Sequence, residues 1–462
     1  MAVSASKLPP GPKGYPLLGN MLGYARDPLG FLRRCSREYG DVVRLRFPGT
    51  LAYLLTHPDH VEQVLVKNNR NFIKDRYTRT ELSVLGNGLL INEGHSWRRQ
   101  RRLAQPAFHR RRVEAYGESM VGFAERLLEG WQDGEIRDVH REMMRLTLEI
   151  VAKTLLDADI AREAEGVGEA LGEIMNYFSD EGSSSFLRML PESVPTPANL
   201  RYRRAIRRLD GIIYSIIDER RRSGADTGDL LSMLLHAEDE DGNRMDPKQL
   251  RDEVMTVVLA GHETTAIALS WTFYLLGENP DIEAKLTAEL EEVLDRRAPS
   301  VRDLPRLRYA DAVIKESMRL YPPAWAIGRE ALGECEIGGY HVPTKTQMFI
   351  SQHVTHRDPR FFDDPDAFDP SRWHDGRTED LPAYAYFPFG GGPRLCIGTN
   401  FARMEAVLLL ATVAREFQLE PVTGDPPVPQ PSITLRPRGG IRMRLGKRRA
   451  ARHRDPVERS ER

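Results

Sequence analysis

Apolar positions in the first hundred residues fall into short runs broken by turns. "DVVRLRF" (41–47) and "LAYLLT" (51–56) read as strands, and a helix is predicted around "PDHVEQVLV" (58–66). From "HSWRRQRRLAQPAF" (95–108) onward the spacing becomes helical. Amphipathic helices are predicted over "RRAIRRLDGIIYSIIDERRR" (203–222), "GDLLSMLLHAE" (228–238), Lys248 to about Gly277, and "DIEAKLTAELEEVL" (281–294). The last third returns to strand-and-turn material such as "GGYHVPTKTQMFIS" (338–351), and "FARMEAVLLLATVAREF" (401–417) adds one more helix. The pattern predicts a mainly α fold with a smaller β-rich part. No repeat or Gly/Ser linker divides the chain, so residues 1–445 are expected to form one domain, followed by a charged, fraying tail over 446–462.

The long central segment also tests membrane insertion. "VMTVVLAGHETTAIALSWTFYLL" (254–276) is long enough to cross a bilayer but carries His262 and Glu263 in mid-span. A central acidic residue costs about 2.5 to 3.5 kcal/mol on insertion scales, so a buried core helix is the better reading. The N-terminal "MAVSASKLPPGPKGYPLLGN" has no apolar run of anchor length before its prolines. A soluble, cytoplasmic protein without a membrane anchor, and a monomer, is therefore expected.

Charge and cysteine content narrow the chemistry further. With 66 basic and 67 acidic residues the formal net charge is -1, which gives no global electrostatic reason to bind nucleic acid. Cys35, Cys335 and Cys396 are too few and too scattered for a disulfide framework or a zinc pair.

Cys396 nevertheless stands in unusual company, in "YFPFGGGPRLCIGTNFARMEA" (386–406), behind Gly390, Gly391, Gly392 and Pro393 and before a predicted helix. A buried apolar cysteine is the ordinary alternative. A phosphate loop lacks its Lys-Ser/Thr, and Pro393 removes an amide donor. A nucleophilic thiolate would need a partner base that the local sequence does not supply. The remaining option is a metal or haem ligand at a helix mouth, with the glycines lying flat against a porphyrin.

Phe389, Gly392, Arg394, Cys396 and Gly398 resemble, position for position, the F-x-x-G-x-R-x-C-x-G signature of the cytochrome P-450 superfamily of haem-thiolate monooxygenases. That resemblance implies the family's fold, with haem between a long central helix and the cysteine helix. It also implies a b-type haem whose iron is bound by Cys396, and O2 as co-substrate. "AGHETT" (260–265) resembles the oxygen-activating segment, with Glu263 and Thr264 as an acid-alcohol relay ordering water and delivering protons, and Ala260 and Gly261 leaving room for dioxygen. Glycine and two threonines predict a local helix distortion there.

"KESMRL" sets Glu316 and Arg319 three residues apart. Such a pair on a helix surface contributes only about 0.2 to 0.5 kcal/mol and by itself says little. It resembles the family's E-x-x-R, with Arg372 of "FDPSRW" in the place of the third member, a network bracing the cysteine loop rather than reacting. Trp97 and Arg101 resemble the propionate-binding W-x-x-x-R, and Arg329 and Arg394 fall where further propionate ligands lie. In "YPPAWAIG", Ala324, Trp325, Ala326 and Ile327 match a segment over the haem and are expected as an apolar wall of the substrate pocket.

The arginines Arg98, Arg99, Arg102, Arg110, Arg111 and Arg112 suggest nucleic acid by composition. The resemblance instead implies docking of a separate ferredoxin or flavodoxin near Arg98, Arg99 and Arg102, itself reduced by a reductase that draws on NAD(P)H. The sequence style is closer to fatty-acid and terpenoid oxidisers than to members with a histidine two residues before the cysteine. The implied reaction inserts one oxygen atom into a C-H or C=C bond of a bulky hydrophobic substrate, with fatty acid, terpenoid and polyketide left open. Rival readings are a peroxide-driven hydroxylase on the same scaffold and a haem gas sensor without turnover.

Overall fold

The computed structural model describes residues 7–159, 164–178, 192–238, 242–422, 424 and 426–448. Helices make the larger layer. The central helix Pro247–Glu278 is buried on nearly every side, because its apolar residues are not confined to one stripe. Helices Val139–Leu156, Arg308–Leu320 and Thr399–Glu416 pack against it. Their buried faces, with Leu146, Val151, Ile267, Trp271, Val313 and Leu408, belong to the largest hydrophobic core.

The β-rich part is a five-stranded sheet in the order Val42–Phe47, Thr50–Leu55, Gln347–Ile350, Ile327–Ala331, Phe72–Lys74. The first two strands form the hairpin expected from their alternation, with Val42 opposite Leu55. Thr50–Leu55 then runs parallel to Gln347–Ile350, a pairing between distant parts of the chain. Separate apolar clusters cover the two faces of this sheet. Strand Arg442–Lys447 pairs with Phe417–Pro421, so regular structure continues past residue 445 into what was expected to be tail. Residues 449–462 of that segment lie outside the described residues.

Two local expectations differ from the structure. The helix around 58–66 is α-helical only over Pro58–Glu62 and widens to a π turn over Gln63–Lys67, which turns the Leu65 carbonyl toward Gly392 of the cysteine loop. The central helix, by contrast, runs unbroken through 260–265. Thr264 Oγ1 donates to the Ala260 carbonyl (2.8 Å) and Thr265 Oγ1 to that of Gly261 (3.4 Å), the side-chain competition expected there. Burial on all sides holds the helix against this competition, and tertiary packing overrides propensity.

Candidate active site around Cys396

The cysteine loop is fixed by its own backbone. Gly390 N–H donates to Phe387 O (3.0 Å), Leu395 N–H to Gly392 O (3.0 Å), and Cys396 N–H to Phe389 O (3.0 Å). Phe389 packs on the main core beside Ile397. Gly390 and Gly392 sit at φ +74° and +62°, the left-handed region that suits glycine. A Cβ on Gly392 would lie 2.0 Å from Leu65 O and one on Gly391 would lie 2.3 Å from the Tyr384 ring. Two of the three glycines therefore let protein close on the loop from behind, where the sequence had suggested a flat surface for porphyrin.

Cys396 is an exposed residue whose thiol is nonetheless surrounded by many protein atoms, as suits a side chain on the wall of a cleft. Burial pushes the thiol up, and the Gly398 N–H, the charge of Arg101 and the Thr399 hydroxyl pull it back toward thiolate. An exposed cysteine at the mouth of helix Thr399–Glu416, with the Arg101 cation beside it, fits the ligand of a haem iron.

Behind the loop, Glu316 and Arg319 are completely buried and joined by two parallel bonds of 2.8 and 2.9 Å. Arg372 Nε donates to the same carboxylate (2.9 Å), as do Trp373 Nε1 (2.8 Å) and Asp369 N–H (3.0 Å). Arg319 spends its other donors on the carbonyls of His356 (2.9 Å), Pro365 (2.6 Å) and Ala367 (2.9 Å). His356 Nε2 in turn accepts from Phe387 N–H (2.9 Å). One chain of bonds thus runs from the carboxylate to the root of the cysteine loop. A buried polar network with this many mutual bonds specifies one arrangement.

On the sheet side the strand register sets Lys74 opposite Arg329. Arg329 is buried, its Nη1 donates to the Gly328 carbonyl (2.8 Å), and burial and the charge of Arg394 push its pKa down to about 10. Lys74 is pushed down to about 7 by burial and by Arg329 and Arg394. Glu93 pairs with Arg394, whose guanidinium also lies 3.9 Å from the centre of the Trp97 ring. Arg101 donates to the Leu395 carbonyl (2.8 Å), next to the cysteine. The structure therefore gathers Trp97, Arg101, Arg329 and Arg394, and adds Lys74 and Glu93. This crowd of half-buried and buried cations suits a ligand bearing two carboxylates.

The central helix presents Ala260, exposed in the middle of an otherwise buried helix, with Thr264 partly exposed on the same face one turn later. Gly261 serves a different neighbour: a Cβ there would meet Val151 Cγ2 at 3.1 Å, so its small size admits helix Val139–Leu156. Glu263 turns away from this face. Its buried carboxylate accepts from Thr434 Oγ1 (2.7 Å) and pairs with Arg436.

Of the expected apolar wall, Ile327 lies where a Cβ on Gly390 would touch it (3.5 Å), and Ala324 and Ala326 are partly exposed. Trp325 is instead core. It packs with Phe31, Leu32 and Val354, and its indole N–H donates to Ser432 O (2.8 Å). An apolar run does not reveal which of its members turns inward.

Comparison with known proteins identifies the family. The family model "Cytochrome P450" matches residues 9–443. Cyclooctatin synthase of Streptomyces melanosporofaciens is 39% identical over 94% of this chain and 94% of its own. Pentalenene oxygenase of Streptomyces avermitilis is 38% identical over 88% of this chain and 90% of its own. Among solved structures, retinoic acid bound cyanobacterial CYP120A1 superposes with a TM-score of 0.85 at 26% identity, covering 96% of this chain and 100% of that one. The chain belongs to the cytochrome P450 family and is a haem-thiolate monooxygenase. It works with haem iron, O2, reducing equivalents from redox partners and a hydrophobic substrate. Among the described residues no helix is long and apolar enough to cross a membrane.

Proposed function

We propose that this enzyme hydroxylates or epoxidises a terpenoid, with Cys396 as the thiolate ligand of a b-type haem. The observation that carries the ligand is Cys396, an exposed residue at the mouth of helix Thr399–Glu416 whose thiol is flanked by Arg101 and the Gly398 N–H. The terpenoid reading is supported by the similarity to cyclooctatin synthase and pentalenene oxygenase over most of the chain. When bound, a thiolate-ligated haem supplies an oxidant able to attack C-H bonds.

The residues around it do the rest. Trp97, Arg101, Arg329, Arg394 and Lys74 bind the two propionates, and Phe389 supports the loop from the core. Ala260 leaves space above the reacting centre. Thr264 offers a hydroxyl that holds water and passes protons, while Ala324, Ala326 and Ile327 exclude water from the apolar substrate. Glu263 is the reservoir behind Thr264, kept in place by Arg436 and Thr434.

Electrons come from a ferredoxin or flavodoxin, reduced in turn at the expense of NAD(P)H. An open basin of about 830 Å³ lined by Arg98, Arg101, Arg102, His109, Arg111 and Arg112 suits an acidic partner, while Arg99 donates to Gln249 (3.2 Å) and the Asn243 carbonyl (3.3 Å). A cytoplasmic setting accords with this supply. The test is a titration of the haem-loaded enzyme with cyclic terpenes and with fatty acids, followed by turnover with a reductase and ferredoxin or with peroxide. The reading requires a spectral shift with terpenes and product only when the electron donors are present. Product with peroxide alone, or shifts restricted to fatty acids, contradicts it.

A further inference from the structure

The stretch 82–92 carries no charged side chain, yet it is seated on three consecutive charged residues of the central helix, Arg251, Asp252 and Glu253, all buried. Arg251 Nη1 donates to the Val84 carbonyl (2.7 Å), Asp252 accepts from Asn87 N–H (2.8 Å), and Glu253 Oε2 accepts from Leu89 N–H (3.0 Å). Two glycines let the backbone come this close. A Cβ on Gly86, which sits at φ +52°, would lie 2.2 Å from the Asp252 carboxylate, and one on Gly88 would lie 2.0 Å from Thr256 Oγ1.

The far end of the same stretch holds the cation cluster. The Asn87 carbonyl accepts from Gln100 Nε2 (2.9 Å) and Asn92 Nδ2 (3.2 Å), and Asn92 Nδ2 also donates to Gln100 Oε1 (2.9 Å). Asn92 O then accepts from Arg394 Nη1 (2.8 Å), while Glu93 pairs with Arg394 and accepts from Lys74 N–H (2.7 Å). One run of bonds therefore leads from the first turns of the central helix to the groups assigned to the propionates.

Glu253 is the unusual member of this anchor. Lys248 and Arg251 are both committed to Asp252 (2.9 and 3.0 Å), and Arg251 is also bonded to Asp210 of helix Pro197–Ser223 (2.6 Å). Helix Gly94–Ala104 brings Arg99, which donates to Gln249. Among the described residues no cation pairs with Glu253, and its buried Oε1 has no hydrogen-bond partner. A charge placed there is poorly compensated. Burial raises the pKa from 4.5 to about 7, opposed by the Leu89 N–H and reinforced by the Asp252 charge.

We propose that Glu253 is a positioning residue for the haem-propionate cluster: its neutral carboxyl seats loop 86–93 on the central helix, and its ionisation unseats the loop and loosens Arg394 and Lys74. This rests on the reading of those cations as the propionate site. The seated loop holds the proton more tightly than a hydrated carboxyl does. Seating is therefore complete below about pH 4.5 and weakens as pH rises through about 7.

The test follows two properties of the full-length protein between about pH 5 and about pH 8.5. One is amide protection of residues 86–93, with the intrinsic pH dependence of exchange removed, and the other is the rate of haem transfer to apomyoglobin. In the wild type, protection is expected to fall and haem release to quicken about tenfold or more across the window. Glu253→Gln, which mimics the neutral acid, should flatten both profiles. Gly88→Ala pushes the loop off Thr256 without changing a charge, so at low pH it should bring both rates toward the wild type's high-pH values. Parallel profiles in the wild type and Glu253→Gln overturn the proposal. So does a Gly88→Ala variant whose loop loses protection while haem release stays unchanged. A wild type that takes up no haem refutes the propionate reading itself, and the protection profile then still decides for or against the seating.

Discussion

Glu263 and Thr264 are consecutive, yet their side chains leave the central helix about 100° apart and enter unlike surroundings. The Glu263 carboxylate accepts from Thr434 Oγ1 at 2.7 Å and pairs with Arg436, while the Thr264 hydroxyl donates to Ala260 O at 2.8 Å on the accessible face. The acid-alcohol pair is therefore divided between a buried ion pair and the cleft. Glu263 reaches the cleft only by leaving Arg436.

That division makes Arg436 important for stability. Arg436→Ala leaves a fully buried carboxylate without its cation and is expected to cost about 3 to 5 kcal/mol. Combining it with Glu263→Gln should recover a large part of that loss. Denaturant midpoints of the two single variants and the double variant measure the coupling, and additive losses would show the pair to be incidental.

Thr264→Ala removes the hydroxyl on the cleft side and touches nothing in the cysteine loop or the cation cluster. The variant is expected to bind haem as wild type does but to divert electrons from product to peroxide. The ratio of product formed to reductant consumed reads this out, and an unchanged ratio removes Thr264 from proton delivery.

Glu316→Ala should be the most damaging change in the molecule outside the cysteine. It leaves Arg319 and Arg372 buried and unpaired and strips acceptors from Trp373 and the Asp369 N–H, a loss of about 3 to 5 kcal/mol or more. Glu316→Gln keeps one carbonyl oxygen and should lose less. Haem content and thermal unfolding of the purified variants check the order.

This network was the most legible part of the site, because Glu316 and Arg319 are neighbours on one helix turn and Arg372 sits in a recognisable short motif. The cysteine loop was legible for the same local reason. Lys74 was not: it joins the cation cluster only because Phe72–Lys74 pairs with Ile327–Ala331, a contact between strands some 250 residues apart in the chain. Arg436 was likewise one arginine in an unremarkable strand until that strand crossed Glu263. Trp325 reads as pocket or as core with equal ease, since hydrophobicity does not encode direction. Periodicity picked out the first hairpin and several helices but not Val139–Leu156 or the strands Phe72–Lys74 and Ile327–Ala331, and the π turn at Gln63–Lys67 and the regularity of the central helix are set by neighbours distant in sequence.

Glu405 offers a pH test. It is fully buried on the cysteine helix, both carboxylate oxygens lack a hydrogen-bond partner, and burial raises its pKa from 4.5 to about 8. A carboxyl whose pKa is raised on folding stays protonated in the folded state after it has ionised in the unfolded one. Its contribution to stability is complete below about pH 4.5 and is lost as pH rises through about 8. Glu405→Gln should therefore flatten the fall in melting temperature across that window. A wild-type profile parallel to that of the variant would place the carboxyl in a more polar setting.

The most direct test of the whole account is the carbon monoxide difference spectrum of the reduced, haem-loaded protein beside that of Cys396→Ser. Thiolate ligation by Cys396 predicts the strongly red-shifted Soret band in the wild type and its loss in the variant. A wild type without that band, or a variant that keeps it, contradicts the assignment.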